Sequence, residues 1–294
     1  MTAQVPPLRA SLTDLLKLEA LGGHRYRSMA SFPNLNDVVY GGQVVAQAIM
    51  AAAAGEHAKH LNSVHCHFLR SAALDVPLDY RVETLVDGRS FTHKEVRATQ
   101  QGAFVFSMHA SFHTPEALFE HQVAPSRQPP DPETLDNLAG LAERFADAIG
   151  PLAYRQLTVR RAFEVRPVEP EAWMLGGPPR RQLWIRAEPY AIPAGASPEL
   201  TDMAAFAFLS DFWLAAAGAM PHAITPPAAT LMMASLDHSI WFHRPVDPRE
   251  WLLMDTESPV AHAGRTLGRA TVFDRHGLAI ASLAQEAVMR RRRT

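Results

Sequence analysis

The chain has 294 residues and one cysteine, Cys66, so no internal disulfide can form. That usage fits a reducing cytoplasm. No leader with a basic start, an apolar middle and a small-residue cleavage site is visible. The last three residues, RRT, do not match the serine-lysine-leucine peroxisomal signal. A cytoplasmic protein is the expectation. The longest apolar runs, around Val44–Ala54 and Met203–Met220, read as too short or too interrupted by charge to span a bilayer, so stable membrane insertion is not expected. Net charge is only −2, which leaves no global field favouring nucleic acid or an anionic surface. The one dense basic cluster, RRRRT at the C-terminus, reads as a solvated tail. No Gly-x-Ser-x-Gly elbow is present, which disfavours the common α/β serine hydrolases. The phosphate-binding Gly-x-x-x-x-Gly-Lys loop and the Gly-x-Gly-x-x-Gly fingerprint are missing too. His65 and His67 share a strand face, but no HExxH or paired CxxC spacing accompanies them. Neither a metal nor a cofactor is expected, and Cys66, inside an alternating strand, reads as a small buried hydrophobe.

What is present is a repeat. SVHCHFLRS (Ser63 to Ser71) returns as SLDHSIWFHRP (Ser235 to Pro245), with Phe68 falling on Phe242 and Arg70 on Arg244. In each copy an apolar helix precedes a run of alternating strands. In the first copy Gly41-Gly42 opens the helix and Gly55 closes it. Strands follow near Ser63–Arg70, Leu78–Leu85, Thr92–Thr99 and Ala103–Phe112, behind an edge strand in YRSMASF. In the second, RRAFEVRPV and RQLWIRAEP read as strands. One helix is then expected, capped by Ser197, opened by Pro198 and stopped only at Gly218. Further strands lie near Ala234–His243, Trp251–Glu257, Gly264–Phe273 and Leu278–Arg290. The residues thus read as an N-terminal unit 1–113, a proline-rich linker 114–155 and a C-terminal unit 156–294. A helix apolar on nearly all faces must be wrapped, so each unit is expected to curl its sheet around its helix. Two such units would join edge to edge and cover their exposed strands.

Asp211 is the sharpest anomaly. Its helical neighbours are Ala207, Phe208, Leu214 and Ala215, with no Lys or Arg within a turn. A buried, unpaired carboxylate is costly and shifts its pKa or gathers hydrogen bonds. It reads either as the wet stripe of a helix or as a general base in a cleft. Copy one has no acid there but offers Gly42 and Gln43 at a helix start, whose N–H groups suit an oxyanion; a turn demanded by geometry is the competing reading. Ser235 and Gln285 interrupt apolar strands. Beside Asp211 they could hold a water for it, since Gln both donates and accepts but is no base.

YGGQVVAQA, HCHFLR, VETLVDGRSF, LSDFWL, LDHSIWFHRP, EWLLM and AQEAVMR together resemble the acyl-CoA thioesterase II family, in order, from about Leu15 to Arg290. The resemblance implies an α+β double hot-dog fold, two helix-wrapped antiparallel sheets joined into one. It implies hydrolysis of fatty acyl-CoA to free acid and coenzyme A, and it places the family's water-activating Asp, hydroxyl residue and Gln on Asp211, Ser235 and Gln285. His67 and Ala72-Ala73 depart from the aromatic and the Pro-Gly turn expected there. Arg70, Arg89, Arg244 and Arg265 are unranked candidates for the coenzyme A phosphates. Phe208, Phe212 and Trp213 are candidates to line an acyl tunnel or simply to be core. A homo-oligomer is left open. A non-catalytic acyl-CoA binding protein and a hot-dog enoyl-CoA hydratase are the rivals, distinguished by whether thiol is released.

Overall fold

The computed structural model describes residues 11–34, 36–55, 59–159, 161–222 and 231–291. After a one-turn helix α1 (Leu12–Leu15), the first half contains β1 (Leu18–Gly22), β2 (Arg25–Ser28), helix α2 (Gly41–Ala53), β3 (His60–Phe68), β4 (Asp79–Asp87), β5 (Phe91–Gln100) and β6 (Ala103–His113). The stretch 114–131 runs without helix or strand. It leads into a 3-10 turn and two helices, α3 (Leu138–Arg144) and α4 (Pro151–Thr158), where a proline-rich composition had shown only a linker. The second half holds β7 (Phe163–Pro167), α5 (Pro170–Leu175), β8 (Arg180–Ala187), α6 (Pro198–Ser210), β9 (Leu231–Ser235), β10 (Asp237–Phe242), β11 (Leu252–His262), β12 (Arg265–Phe273) and β13 (Ala279–Arg291).

Every strand pairing is antiparallel, in one 13-stranded sheet ordered β1-β2-β4-β5-β6-β3-β10-β13-β12-β11-β8-β7, with β9 also on β13. Strict alternation drives it. In β5, Thr92, Lys94, Val96 and Ala98 are buried under the helices while their neighbours face outward. The two halves meet at β3 and β10, where His65 pairs with Ser239 and the imidazole Nδ1 lies 3.0 Å from the hydroxyl. These two residues are 174 apart, the offset of the sequence repeat, so a pseudo-two-fold axis passes between a residue and its own counterpart. The repeated arginines do the same job in each half. Arg70 donates to the Phe104 carbonyl and Arg244 to the Ala279 carbonyl, each pinning the start of the neighbouring strand.

Helices α2 and α6, each 13 residues long, pack in the hollow of the sheet. Both are buried on nearly every face, as an all-apolar helix requires. The helix α2 is fixed by buried amides. The Gln43 side chain accepts from Phe32 N (2.6 Å) and donates to the Ala30 carbonyl (2.9 Å). Gln47 donates to the Leu15 carbonyl and accepts from the Tyr80 hydroxyl, both at 2.8 Å. At its far end the buried Lys94 ammonium caps the Ala52 carbonyl at 2.8 Å. The crossing is close because Gly42 has no side chain; a Cβ there would strike the Phe208 carbonyl.

One expectation is corrected here. The second helix does not run to Gly218. It ends at Ser210 with Asp211 as its C-cap, and Trp213 takes a left-handed φ of 55° before a 3-10 segment, Leu214–His222. Gly218 is there for space, since a Cβ would collide with the Thr266 hydroxyl. The whole stretch Pro198–His222 is in fact long and apolar enough by composition to cross a membrane, contrary to the reading from sequence. Its most apolar 18-residue window is 94% buried inside the fold, which makes it the core of the sheet's hollow.

Candidate active site

The end of α6 meets the start of α2, so the C-cap Asp211 sits against Gly41 and Gly42 of the other half. A Cβ on Gly41 would stand 2.7 Å from Asp211 Oδ2 and 3.1 Å from the Phe68 ring, so only glycine fits. The strand side of the site depends on an irregularity. The chain breaks register at Leu236, between β9 and β10, where the Asp237 carboxylate accepts from Glu286 N (2.8 Å). The break turns Ser235 toward Gln285 of β13, which is itself buried. Gln285 Nε2 donates to Asp211 Oδ1 (2.5 Å) and to Ser235 Oγ (3.1 Å), and Ser235 Oγ donates to the same Oδ1 at 3.1 Å.

The structure therefore brings Asp211, Ser235 and Gln285 into one cluster. Asp211 is 8% exposed. Burial raises its pKa to about 6, against the pull of hydrogen bonds from Gln285, Ser235 and the Gly42 N–H. The negative pole of α6 and the positive pole of α2 converge on this carboxylate from opposite sides. A carboxylate with a pKa of about 6 is ionised near neutral pH yet basic enough to accept a proton.

The two N–H groups expected to face an oxyanion are both engaged. The Gly42 N–H bonds Asp211, and the Gln43 N–H donates to the Tyr40 carbonyl at 3.1 Å. The physical reason is twofold: the first turn of α2 takes the Gln43 donor for itself, and the C-cap Asp211 packs close enough to take that of Gly42. Phe208 is fully buried core, touching Tyr40 and Phe163 edge-on, while Phe212 and Trp213 stack on each other at 4.7 Å.

A supporting set lies behind the carboxylate, and sequence reasoning passed over it. His238, 0% exposed, shares a 2.8 Å hydrogen bond between Nε2 and Ser210 Oγ, the residue before Asp211. The Ser210 hydroxyl donates to the Ala207 carbonyl, so His238 Nε2 carries the proton. Burial lowers the His238 pKa to about 3 and keeps it neutral. Cys66, also buried, donates to the His238 carbonyl at 3.1 Å. Two arginines, Arg181 buried and Arg161 half-buried, hold the loop after Asp211. Arg181 donates to the Trp213 carbonyl, and Arg161 lies over the Phe212 ring at 5.3 Å. Arg161, two residues before β7, and Arg181, second in β8, look in the sequence like any surface arginine, so nothing marked either one.

A double hot-dog sheet with a desolvated carboxylate between its two helices defines the class, a hydrolase of the thioesterase type. Residues 29–113 match the acyl-CoA thioesterase N-terminal domain and residues 125–289 the acyl-CoA thioesterase C-terminal domain. The chain is 32% identical over 286 residues to acyl-CoA thioesterase 2 of Haemophilus influenzae, spanning 95% of this chain and 97% of that one. It is 31% identical over 292 residues to acyl-coenzyme A thioesterase 8 of Rattus norvegicus, spanning 95% and 88%. Among solved structures it resembles an acyl-CoA thioesterase II from Mycobacterium marinum, with a TM-score of 0.75, 28% identity and coverage of 96% and 99%. The chain belongs to the acyl-CoA thioesterase II family.

Proposed function

We propose that the chain hydrolyses fatty acyl-CoA by direct attack of a water that Asp211 deprotonates. Hydrolysis of acyl-CoA thioesters is the activity of its family; the fatty acyl group and the residue roles follow from the motif resemblance, and the geometry of the Asp211 cluster supports the roles. Ser235 and Gln285 orient the carboxylate and the water. The water oxygen bonds to the thioester carbon, its proton passes to Asp211, the C–S bond breaks, and the departing coenzyme A thiolate takes the proton back. A positioned general base is worth about 10²–10⁴-fold in rate. The observation that carries the reading is the convergence of Ser235 and Gln285 on Oδ1 of a buried acid whose pKa is about 6. No covalent acyl-enzyme is invoked: Ser235 donates to the carboxylate that serves the water, and it has no imidazole partner among the described residues.

We place the boundaries of the two units at 113 and 156 and the reaction in the cytoplasm, where a lone buried cysteine stays reduced. The test is thiol release from acetyl-, octanoyl- and palmitoyl-CoA by wild type and Asp211→Asn. A loss of a hundredfold or more in the variant, with the fold intact, is expected. Equal rates would refute Asp211 as the base. Retention of acyl-CoA without thiol release by the wild type would make the protein a binding module.

A further inference from the structure

Water adding to a thioester carbonyl leaves negative charge on oxygen, and that charge needs a hydrogen-bond donor. Gly42 and Gln43 have already spent their N–H groups. One residue earlier stands Tyr40, the N-cap of α2. Its hydroxyl is sealed from solvent and has no hydrogen-bond partner among the described residues. A buried hydroxyl without a partner is destabilising, and such an atom in an ordered site calls for an explanation. The ring cannot swing away to find one. It packs edge-on against Phe208 at 5.1 Å and Phe32 at 6.1 Å, and it lies over Gly42 so closely that a Cβ there would stand 2.6 Å from its Cε1.

The hydroxyl also has the right electrostatic surroundings. It lies within the field of the Asp211 carboxylate and of the Arg161 guanidinium. Arg161 is half-buried and fixed by hydrogen bonds to the carbonyls of Gln156, Leu157 and Val159, so its charge stays in place. Resting on the reading of Asp211 as the base, we infer that the Tyr40 hydroxyl donates to the thioester carbonyl oxygen and stabilises the oxyanion, with Arg161 as the fixed positive charge behind it. Tyr40 is thereby a further catalytic residue. Burial and the nearby Asp211 carboxylate hold the phenol well above its ordinary range, so it keeps the proton it donates. Substrate carbonyl and orphaned hydroxyl then satisfy each other, and the cost of burying the phenol unpaired in the free enzyme disappears when substrate binds.

The test is Tyr40→Phe, which keeps the ring packing and removes one oxygen. Steady-state thiol release is measured on acetyl-, octanoyl- and palmitoyl-CoA beside Asp211→Asn, with melting curves for both. The expected result is a fall in kcat of about 10²-fold, by a common factor on all three substrates, KM within twofold of wild type and a melting temperature no lower. An unchanged kcat overturns the inference. A loss that appears in KM, or that grows with chain length, overturns it too, because the hydroxyl would then line the acyl site. The two failures are distinguishable: an active Asp211→Asn removes the base, whereas an inactive Asp211→Asn beside a fully active Tyr40→Phe leaves the base standing and removes Tyr40.

Discussion

Replacing Asp211 by Asn should make the protein more stable, by an amount that depends on pH. The folded carboxyl holds its proton up to about pH 6, whereas in the unfolded chain it ionises near 3.8. A raised acid pKa means that ionisation opposes folding, so the destabilisation grows as pH rises from 3.8 to about 6 and is constant above. The shift is about two units, or about 3 kcal/mol at pH 7.5, falling to about 1 kcal/mol at pH 4.5. Asn keeps an acceptor for Gln285 and Ser235 but carries no charge. The wild-type profile alone will not show this. His238 acts with the opposite sign, since its folded pKa of about 3 lies below the ordinary 6.5 and its contribution is lost as pH falls. Subtracting wild type from variant removes His238, and comparing that difference at two pH values removes every pH-independent effect of the substitution. Urea unfolding at pH 4.5 and 7.5 should therefore give a variant-minus-wild-type difference about 2 kcal/mol more favourable at the higher pH. A difference that ignores pH would show that Asp211 is not desolvated. A difference of reversed sign would show that its hydrogen bonds outweigh burial, and the poised-base argument would fall with it.

Other outcomes follow from the same contacts. Ser235→Ala and Gln285→Ala each remove a hydrogen bond that lowers the Asp211 pKa, so the acid limb of kcat/KM against pH, expected near 6 in the wild type, should move upward in both, more in Gln285→Ala. Gly41→Ala places a methyl group 2.7 Å from Asp211 Oδ2; kcat should fall at least tenfold and stability by about 1–3 kcal/mol, read by thiol release and urea unfolding. Arg70→Ala and Arg244→Ala should each cost about 1–2 kcal/mol, measured by the same unfolding, with kcat at saturating substrate unchanged, because each guanidinium bonds a strand carbonyl outside the Asp211 cluster.

The strands were legible because a half-buried sheet writes period two into the chain, and the twin helices because only wrapped helices are apolar all round. The alignment of Phe68 with Phe242 showed the repeat, but the meeting of β3 with β10 at the centre came only with the sheet order. Asp211 was legible as a charge with no local partner. The end of α6 was not. The run LSDFWLAAAG carries no glycine or proline at the break, and what turns Trp213 left-handed is tertiary: Arg181 on its carbonyl and the stacked rings of Phe212 and Trp173. Engagement of the Gly42 and Gln43 donors was equally hidden, since the sequence shows which donors a helix start has but not how tight its first turn is or what packs against it. The short β1 and the helices after residue 131 lack the length for a periodic signal.

The pseudo-two-fold axis fixes a stoichiometry. The helices correspond residue for residue, so the C-cap Asp211 is matched by the C-cap Ala54. The register break at Leu236 has its counterpart at Asn62, which puts Leu61 where Ser235 stands, and His65 pairing with His109 as Ser239 pairs with Ala284 puts Ala110 where Gln285 stands. The mirror position thus holds Ala54, Leu61 and Ala110, facing a helix that begins with Pro198, which has no N–H, instead of Gly41. Titrating reactive centres against chain should give a ratio of one, although the architecture has two equivalent corners, and restoring three polar side chains at the silent corner would still leave it without the glycine start that the working one shares with its acid.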